Sequence, residues 1–268
     1  MTRMPTYFIP HGGGPCFFMD PRPGTPADTW DRMADFLTKL PEDLPEPPKA
    51  VLIISAHWLT DVPTMITTEA PELYFDYYGF PPHTYELTWP AKTSGWLAAR
   101  TKELLNDAGC RVAKETERGL DHGVFVPFKL IYPDADMPIL QLSMLNTDNA
   151  AEQIRYGQAL AKLRDEGVLI IGSGLSYHNL RQFYHQPLVT NPDSVAFDEW
   201  LTDAATDTEG RNDKLAQWLK VPTARAVHPT SEHLLPMMIA AGAATGDQGE
   251  QIYSDIVLGK AVSGYRFG

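Results

Sequence analysis

Eight histidines are the side chains of this 268-residue sequence best placed for chemistry: His11, His57, His83, His122, His178, His185, His228 and His233. Three follow apolar, strand-like runs. "YFIPH" ends on His11, "VLIISAH" on His57 and "VLIIGSGLSYH" on His178. Open α/β sheets bind their ligands beyond the carboxyl ends of the strands, and neutral imidazole is the commonest transition-metal ligand. One histidine at a strand end is more often a hydrogen-bonded structural residue. Three in the same setting point instead to convergence on one ion or substrate. Each lies beside small residues, Gly12–Gly14, Ser55–Ala56 and Gly172–Ser176, which let backbone approach a ligand closely.

Other chemistries fit less well. "HGGG" would suit an esterase oxyanion loop, but no G-x-S-x-G elbow accompanies it, since "GLSYH" has histidine where the last glycine belongs. Neither a P-loop nor G-x-G-x-x-G occurs. His122, in a predicted loop "GLDHGVFVPF", offers a titratable acid or base. His83 sits in an aromatic stretch and His185 in "FYHQP"; both read as surface residues.

"HPTSEHLLP" holds His228, Glu232 and His233. On a helix, residues five apart stand roughly 140° apart around the axis, so the two histidines cannot share a face. The H-E-x-x-H zinc motif needs a spacing of four. Pro236 is comfortable only in a first helical turn, which puts the predicted helix start near Ser231–His233. Glu232 and His233 then flank a helix N-terminus, whose dipole favours neutral imidazole. Ser231 and Glu232 are candidate caps. Spacing alone leaves His233, Glu232 and, less favoured, His228 open as ligands.

The elements that must position these residues follow from short apolar runs alternating with helical patterns, which predict an α/β fold with a mostly parallel central sheet flanked by helices. "TYFIP", "AVLIISA", "CRVAKE", "MPILQLSM" and "VLIIGSG" read as strands, "PTMITTE" as a strand beside "AVLIISA", and "QIYSDIVLGKAVSGYRFG" as a C-terminal hairpin. Helices are predicted in "DTWDRMADFLTKL", "SGWLAARTKELLNDAG", "NAAEQIRYGQALAKLRDEG", "SVAFDEWLTDAA" and "NDKLAQWLK". Tyr74–Pro90, rich in aromatics and proline, reads as a long loop. No linker of disordered composition divides the chain, so one domain over residues 1–268 is expected.

A formal charge of −12 argues against a nucleic-acid partner, whose phosphates such a surface repels. Two cysteines, Cys16 and Cys110, form no disulfide framework. With no signal-peptide pattern and no apolar run near the ~18 residues that span a bilayer, a cytoplasmic chain without membrane partners is expected.

The motifs "PHGGGP", "SAHW", "FPPHTYELTWPA", "GLDHGVFVPFKLIYPDADMPILQLSM", "GLSYHNLR" and "PTSEHLLPMMIAAGAA" run in order along nearly the whole chain. In these the sequence resembles the class III extradiol ring-cleavage dioxygenases, most of all their DOPA 4,5-dioxygenase branch. The resemblance implies a mononuclear metal site. His11, His57 and His233 would be its ligands, with Glu232 as the rival third ligand. His178 would be a fourth ligand or the acid/base, and His122 a second acid/base or a substrate contact. The implied cofactor is Fe(II), with Zn(II) able to occupy the same site. The implied reaction inserts O2 into a catechol ring and yields a muconic semialdehyde. A zinc hydrolase and a non-catalytic metal-binding relative are the alternatives on the same histidines. Monomer and dimer are both compatible with the sequence.

Overall fold

The structure, a computed structural model, describes residues 2–268. Eight strands form one sheet: β1 (Thr6–Pro10), β2 (Ala50–Thr60), β3 (Thr64–Ile66), β4 (Ala113–Glu115), β5 (Ile139–Leu145), β6 (Val168–Gly174), β7 (Gly249–Val257) and β8 (Lys260–Phe267). Their order across the sheet is β4-β3-β5-β2-β6-β1-β8-β7. The central run β5-β2-β6-β1 is parallel throughout, and β8 and β7 extend it antiparallel at one edge. β1 and β6 are buried at every position, as expected of parallel strands covered on both faces. The short β3 pairs with β5 and β4, not with β2 as its sequence position suggests; β5 and β6 occupy both edges of β2.

The α-helices, in chain order, are α1 (Asp31–Lys39), α2 (Gly95–Asp107), α3 (His122–Ile131), α4 (Ala150–Leu160), α5 (Lys162–Asp165), α6 (Leu180–Phe183), α7 (Pro192–Thr206), α8 (Arg211–Ala216), α9 (Ala224–Val227) and α10 (Leu235–Ala243). Asn149 and Ser94 cap α4 and α2 through their side chains, as such residues commonly do. α2 ends two residues before Gly109, whose φ of 82° reverses the chain. β6 shows the layering. Gly172 and Gly174 face α10 and the turn before it, while Ser173 between them faces α3. Alternation along the strand thus places these two helices on opposite faces. α10 is buried along its whole length, packed on β6, β1 and β2 with α4 outside it. No helix among the described residues is long and apolar enough to cross a membrane.

Two local departures from the sequence reading shape the site. "HGVFVPF" is not a loop but the first two turns of α3, with Pro127 inside it. Proline there strips the Gly123 carbonyl of its intrahelical donor. The Ser173 hydroxyl replaces it at 2.5 Å, so no buried acceptor is left unpaired. The last helix begins at Leu235, beyond the expected Ser231–His233, with Pro236 in its first turn. Ser231–Leu234 instead form a turn in which the Ser231 carbonyl accepts from the Leu234 and Leu235 N–H groups. The Ser231 hydroxyl donates to Asp148 and does not cap the helix.

Candidate active site

Beyond the carboxyl ends of β1, β2 and β6 lies a cavity of about 460 Å³, into which His11, His57, His122, His178 and His233 open. Each reaches it by a different device. His11 directly follows β1, and its backbone N–H donates to the Gly174 carbonyl at 3.1 Å. His57 belongs to β2, where the register against β5 shifts between Ile54 and Leu59. Such a bulge re-aims side chains and frees backbone groups. The freed His57 carbonyl accepts from Arg118 Nη2 at 3.0 Å. His178 lies four residues past β6. His233 sits in the turn before α10, and its carbonyl accepts from the Leu175 N–H just past β6 at 3.0 Å. A Cβ at Gly174 would collide with that carbonyl, so the turn can seat only on glycine.

Ring nitrogens of His11, His57 and His233 lie within 4.8 Å of one another. The ring centroids are 5.0 Å apart for His11–His57, 5.3 Å for His11–His233 and 4.8 Å for His57–His233. Both nitrogens of His11, Nε2 of His57 and Nε2 of His233 are buried without a hydrogen-bond partner. Buried polar atoms are rarely left so. A cation among these lone pairs would satisfy them, and three imidazoles are a donor set that divalent first-row metals accept. The electrostatics agree. Burial, reinforced by the neighbouring imidazoles, holds His11 and His57 well below the ordinary histidine range. Burial and then the charge of His178 push His233 down to about 3. All three are therefore neutral, with lone pairs free, at physiological pH.

His178 stands differently. Its ring stacks on that of His233, centroids 3.3 Å apart and planes 13° from parallel, and its Nδ1 is 3.5 Å from Glu232. Glu232 also accepts from Nδ1 of His233 at 3.1 Å and from Thr230 at 2.9 Å. Burial works against the Glu232 charge, but hydrogen bonds from His178 and His233 outweigh it and hold the carboxyl well below its usual range. Glu232 thus lies against Nδ1 of both His233 and His178, a second group whose ligand atoms are close enough to hold a metal ion, while Nε2 of His233 is buried without a partner.

His122 opens α3 and points into the cavity beside His57, with centroids 3.9 Å apart. Its partner is Asp76, which the sequence reading did not single out. Asp76 Oδ1 accepts from the His122 backbone N–H at 2.9 Å and from ring Nδ1 at 2.7 Å, and Oδ2 lies 3.7 Å from His57 Nδ1. Burial raises the Asp76 carboxyl, yet the hydrogen bonds from His122 prevail and hold it below the ordinary value. With Nδ1 turned to Asp76, Nε2 is the ring nitrogen of His122 that Asp76 leaves free. The only hint in the sequence was an acid inside the aromatic run "YFDYYGF". The chain neighbour Asp121 points elsewhere, accepting from Ser55 at 2.6 Å and Gln141 at 2.5 Å beneath the site.

The other three histidines stay apart. His83 is exposed, its Nε2 3.1 Å from the Phe18 carbonyl, and His185 is exposed as well. His228 is buried between Phe197 and Trp218 and donates from Nε2 to the Ser176 carbonyl at 2.9 Å. In the aromatic stretch, Tyr77, Tyr78 and Phe80 line the cavity, whereas Tyr74 and Phe75 do not.

Residues 5–264 match the family described as the catalytic LigB subunit of aromatic ring-opening dioxygenase. The chain belongs to this family of metal-dependent dioxygenases. Among its relatives is the 4,5-DOPA dioxygenase extradiol of Beta vulgaris, 38% identical over 89% of this chain and 86% of the relative. The dioxygenase tasH of Hapsidospora irregularis is 36% identical over 100% of this chain and 87% of the relative. The fold is similar to the crystal structure of an uncharacterized protein of Escherichia coli K12, with a TM-score of 0.79, 29% identity and coverage of 99% of this chain and 100% of that one.

Proposed function

We propose that the protein is an Fe(II)-dependent extradiol dioxygenase that opens a substituted catechol with O2, giving a muconic semialdehyde. One observation carries the reading: buried imidazole nitrogens without partners converge from three elements at the end of a parallel sheet. His11, His57 and His233 would hold the metal. Glu232, bonded behind the His233 ring, orients that ligand, as outer-shell carboxylates do. Three neutral ligands leave the charge of a divalent ion uncompensated, which favours an anionic catecholate beside it. Bound there, iron would supply the electron exchange between catecholate and O2 that spin otherwise makes slow.

The remaining residues handle protons and position. Nε2 of His122 accepts the proton of a catechol hydroxyl, while Asp76 holds Nδ1–H and stabilises the imidazolium that forms. His178, stacked on His233 rather than grouped with the three ligands, returns a proton during ring opening. Tyr77 and Phe80, 5.3 Å apart between centroids, wall the ring and exclude water. Three imidazoles also suit hydrolytic zinc, and the test separates the two readings. Protein reconstituted anaerobically with Fe(II) is given O2 and a panel of L-DOPA, caffeate and protocatechuate. One O2 consumed per catechol and a yellow semialdehyde are expected. No uptake with any catechol, together with ester hydrolysis by the zinc form, would refute the proposal. His57→Ala should lose metal by elemental analysis, and His122→Ala should keep metal and lose turnover.

A further inference from the structure

The chemistry at the cavity floor says nothing of the rest of the substrate, but the mouth does. Among the described residues, Arg22 is the only arginine or lysine lining the cavity. Its guanidinium lies 4.5 Å from the Tyr184 ring centroid and 5.1 Å from that of Phe80. It forms no ion pair or side-chain hydrogen bond among the described residues, and its backbone carbonyl accepts from the N–H and the hydroxyl of Thr25. Stacking on aromatic faces fixes the plane of a guanidinium without using its N–H fork. The fork is therefore held in place and unspent. Among the described residues, the only carboxylate lining the cavity is Asp76, already committed to His122. Tyr78, 91% exposed, and Leu180, 66% exposed, form apolar lips around the opening.

We infer that Arg22 is a specificity-determining residue that receives an anionic substituent of the catechol, a carboxylate on a short side chain. This rests on the catechol-cleavage reading and adds the substrate class to it. The ring would enter toward the histidines and the side chain would trail toward the mouth, where a planar carboxylate matches the guanidinium fork in two parallel bonds. The same cation repels an ammonium group. No free carboxylate lines the cavity to offset that repulsion. The mouth thus favours a catechol acid of net negative charge over a zwitterionic amino acid of equal length.

The test compares wild type, Arg22→Gln and Arg22→Lys on 3-(3,4-dihydroxyphenyl)propionate, its methyl ester, L-DOPA and 4-methylcatechol. Turnover is read by O2 uptake of the Fe(II)-loaded enzyme, and binding by anaerobic tryptophan fluorescence. In wild type the acid should have the lowest KM and bind more tightly than its ester or L-DOPA. Arg22→Gln should raise KM and Kd for the acid about ten- to a hundredfold, the loss expected of a charge-assisted pair, and change those for 4-methylcatechol far less. Arg22→Lys should recover part of the loss. If the enzyme turns over catechols but Arg22→Gln affects acid and 4-methylcatechol equally, or not at all, the inference fails and the catechol reading stands. L-DOPA as the preferred substrate would also overturn it. If no catechol supports O2 uptake, the catechol reading fails, and the binding arm still decides whether Arg22 selects the anion.

Discussion

Asp76 shows how one side chain can set the state of another. It binds both the backbone N–H and the ring Nδ1 of His122, so its carboxylate fixes the ring's position and its tautomer together. Asp76→Asn preserves the shape but removes the charge, and an amide can present a donor to Nδ1 and reverse the tautomer. We expect metal content to be retained and kcat to fall about ten- to a hundredfold, in the range seen when such orienting partners are lost, with little change in KM. Parallel elemental analysis and steady-state kinetics would check this, and loss of metal along with turnover would contradict it. The histidines were legible in the sequence because strand ends in a parallel sheet are places where ligands bind. Asp76 was not, since the loop it occupies has no periodicity to say which way a side chain points. The chain neighbour Asp121 is not the partner of His122; it is bonded to Ser55 and Gln141 instead.

Between elements, the site depends on how closely α10 and its preceding turn approach β6. The His233 carbonyl sits against Gly174 and accepts from Leu175, so backbone contacts place the third histidine before its side chain does anything. Gly174→Ala would drive a methyl into that carbonyl. We expect a loss of about 1–3 kcal/mol, as for other overpacked cores, and weaker metal retention as His233 moves away from His11 and His57. Urea denaturation with metal analysis measures both; unchanged stability would mean that the turn seats elsewhere. The central strands and most of the longer helices followed from apolar periodicity, whereas α3 was expected as a loop and β3 as a neighbour of β2. Less legible were the irregular features: the bulge that aims His57, the proline inside α3 and the late start of α10. Each depends on a partner distant in sequence. Ser173 makes Pro127 tolerable, and nothing near "GVFVPF" announces Ser173.

For the molecule as a whole, His228 ties stability to pH. Burial drives it down to about 3, the Ser176 carbonyl opposing only in part. Its folded-state value thus lies below the unfolded value of about 6.5, and the unfolded chain binds the extra proton between the two. Stability from this residue is fully present above about pH 6.5 and is lost as pH falls toward 3. His228→Gln should flatten the dependence, narrowing the fall between pH 7 and pH 4 by on the order of 3 kcal/mol. Urea midpoints of metal-free wild type and variant across that range would show it, and parallel curves would refute it. At the same scale, the register of β1 has a consequence for how the protein is made. β1 pairs with β6 on one side and with the last strand, β8, on the other. His11 and His233, whose ring centroids are 5.3 Å apart, thus meet through contacts between segments distant in the sequence. Non-local pairings of this kind slow folding. The three-imidazole cluster is complete only when segments far apart in the sequence have docked on one another.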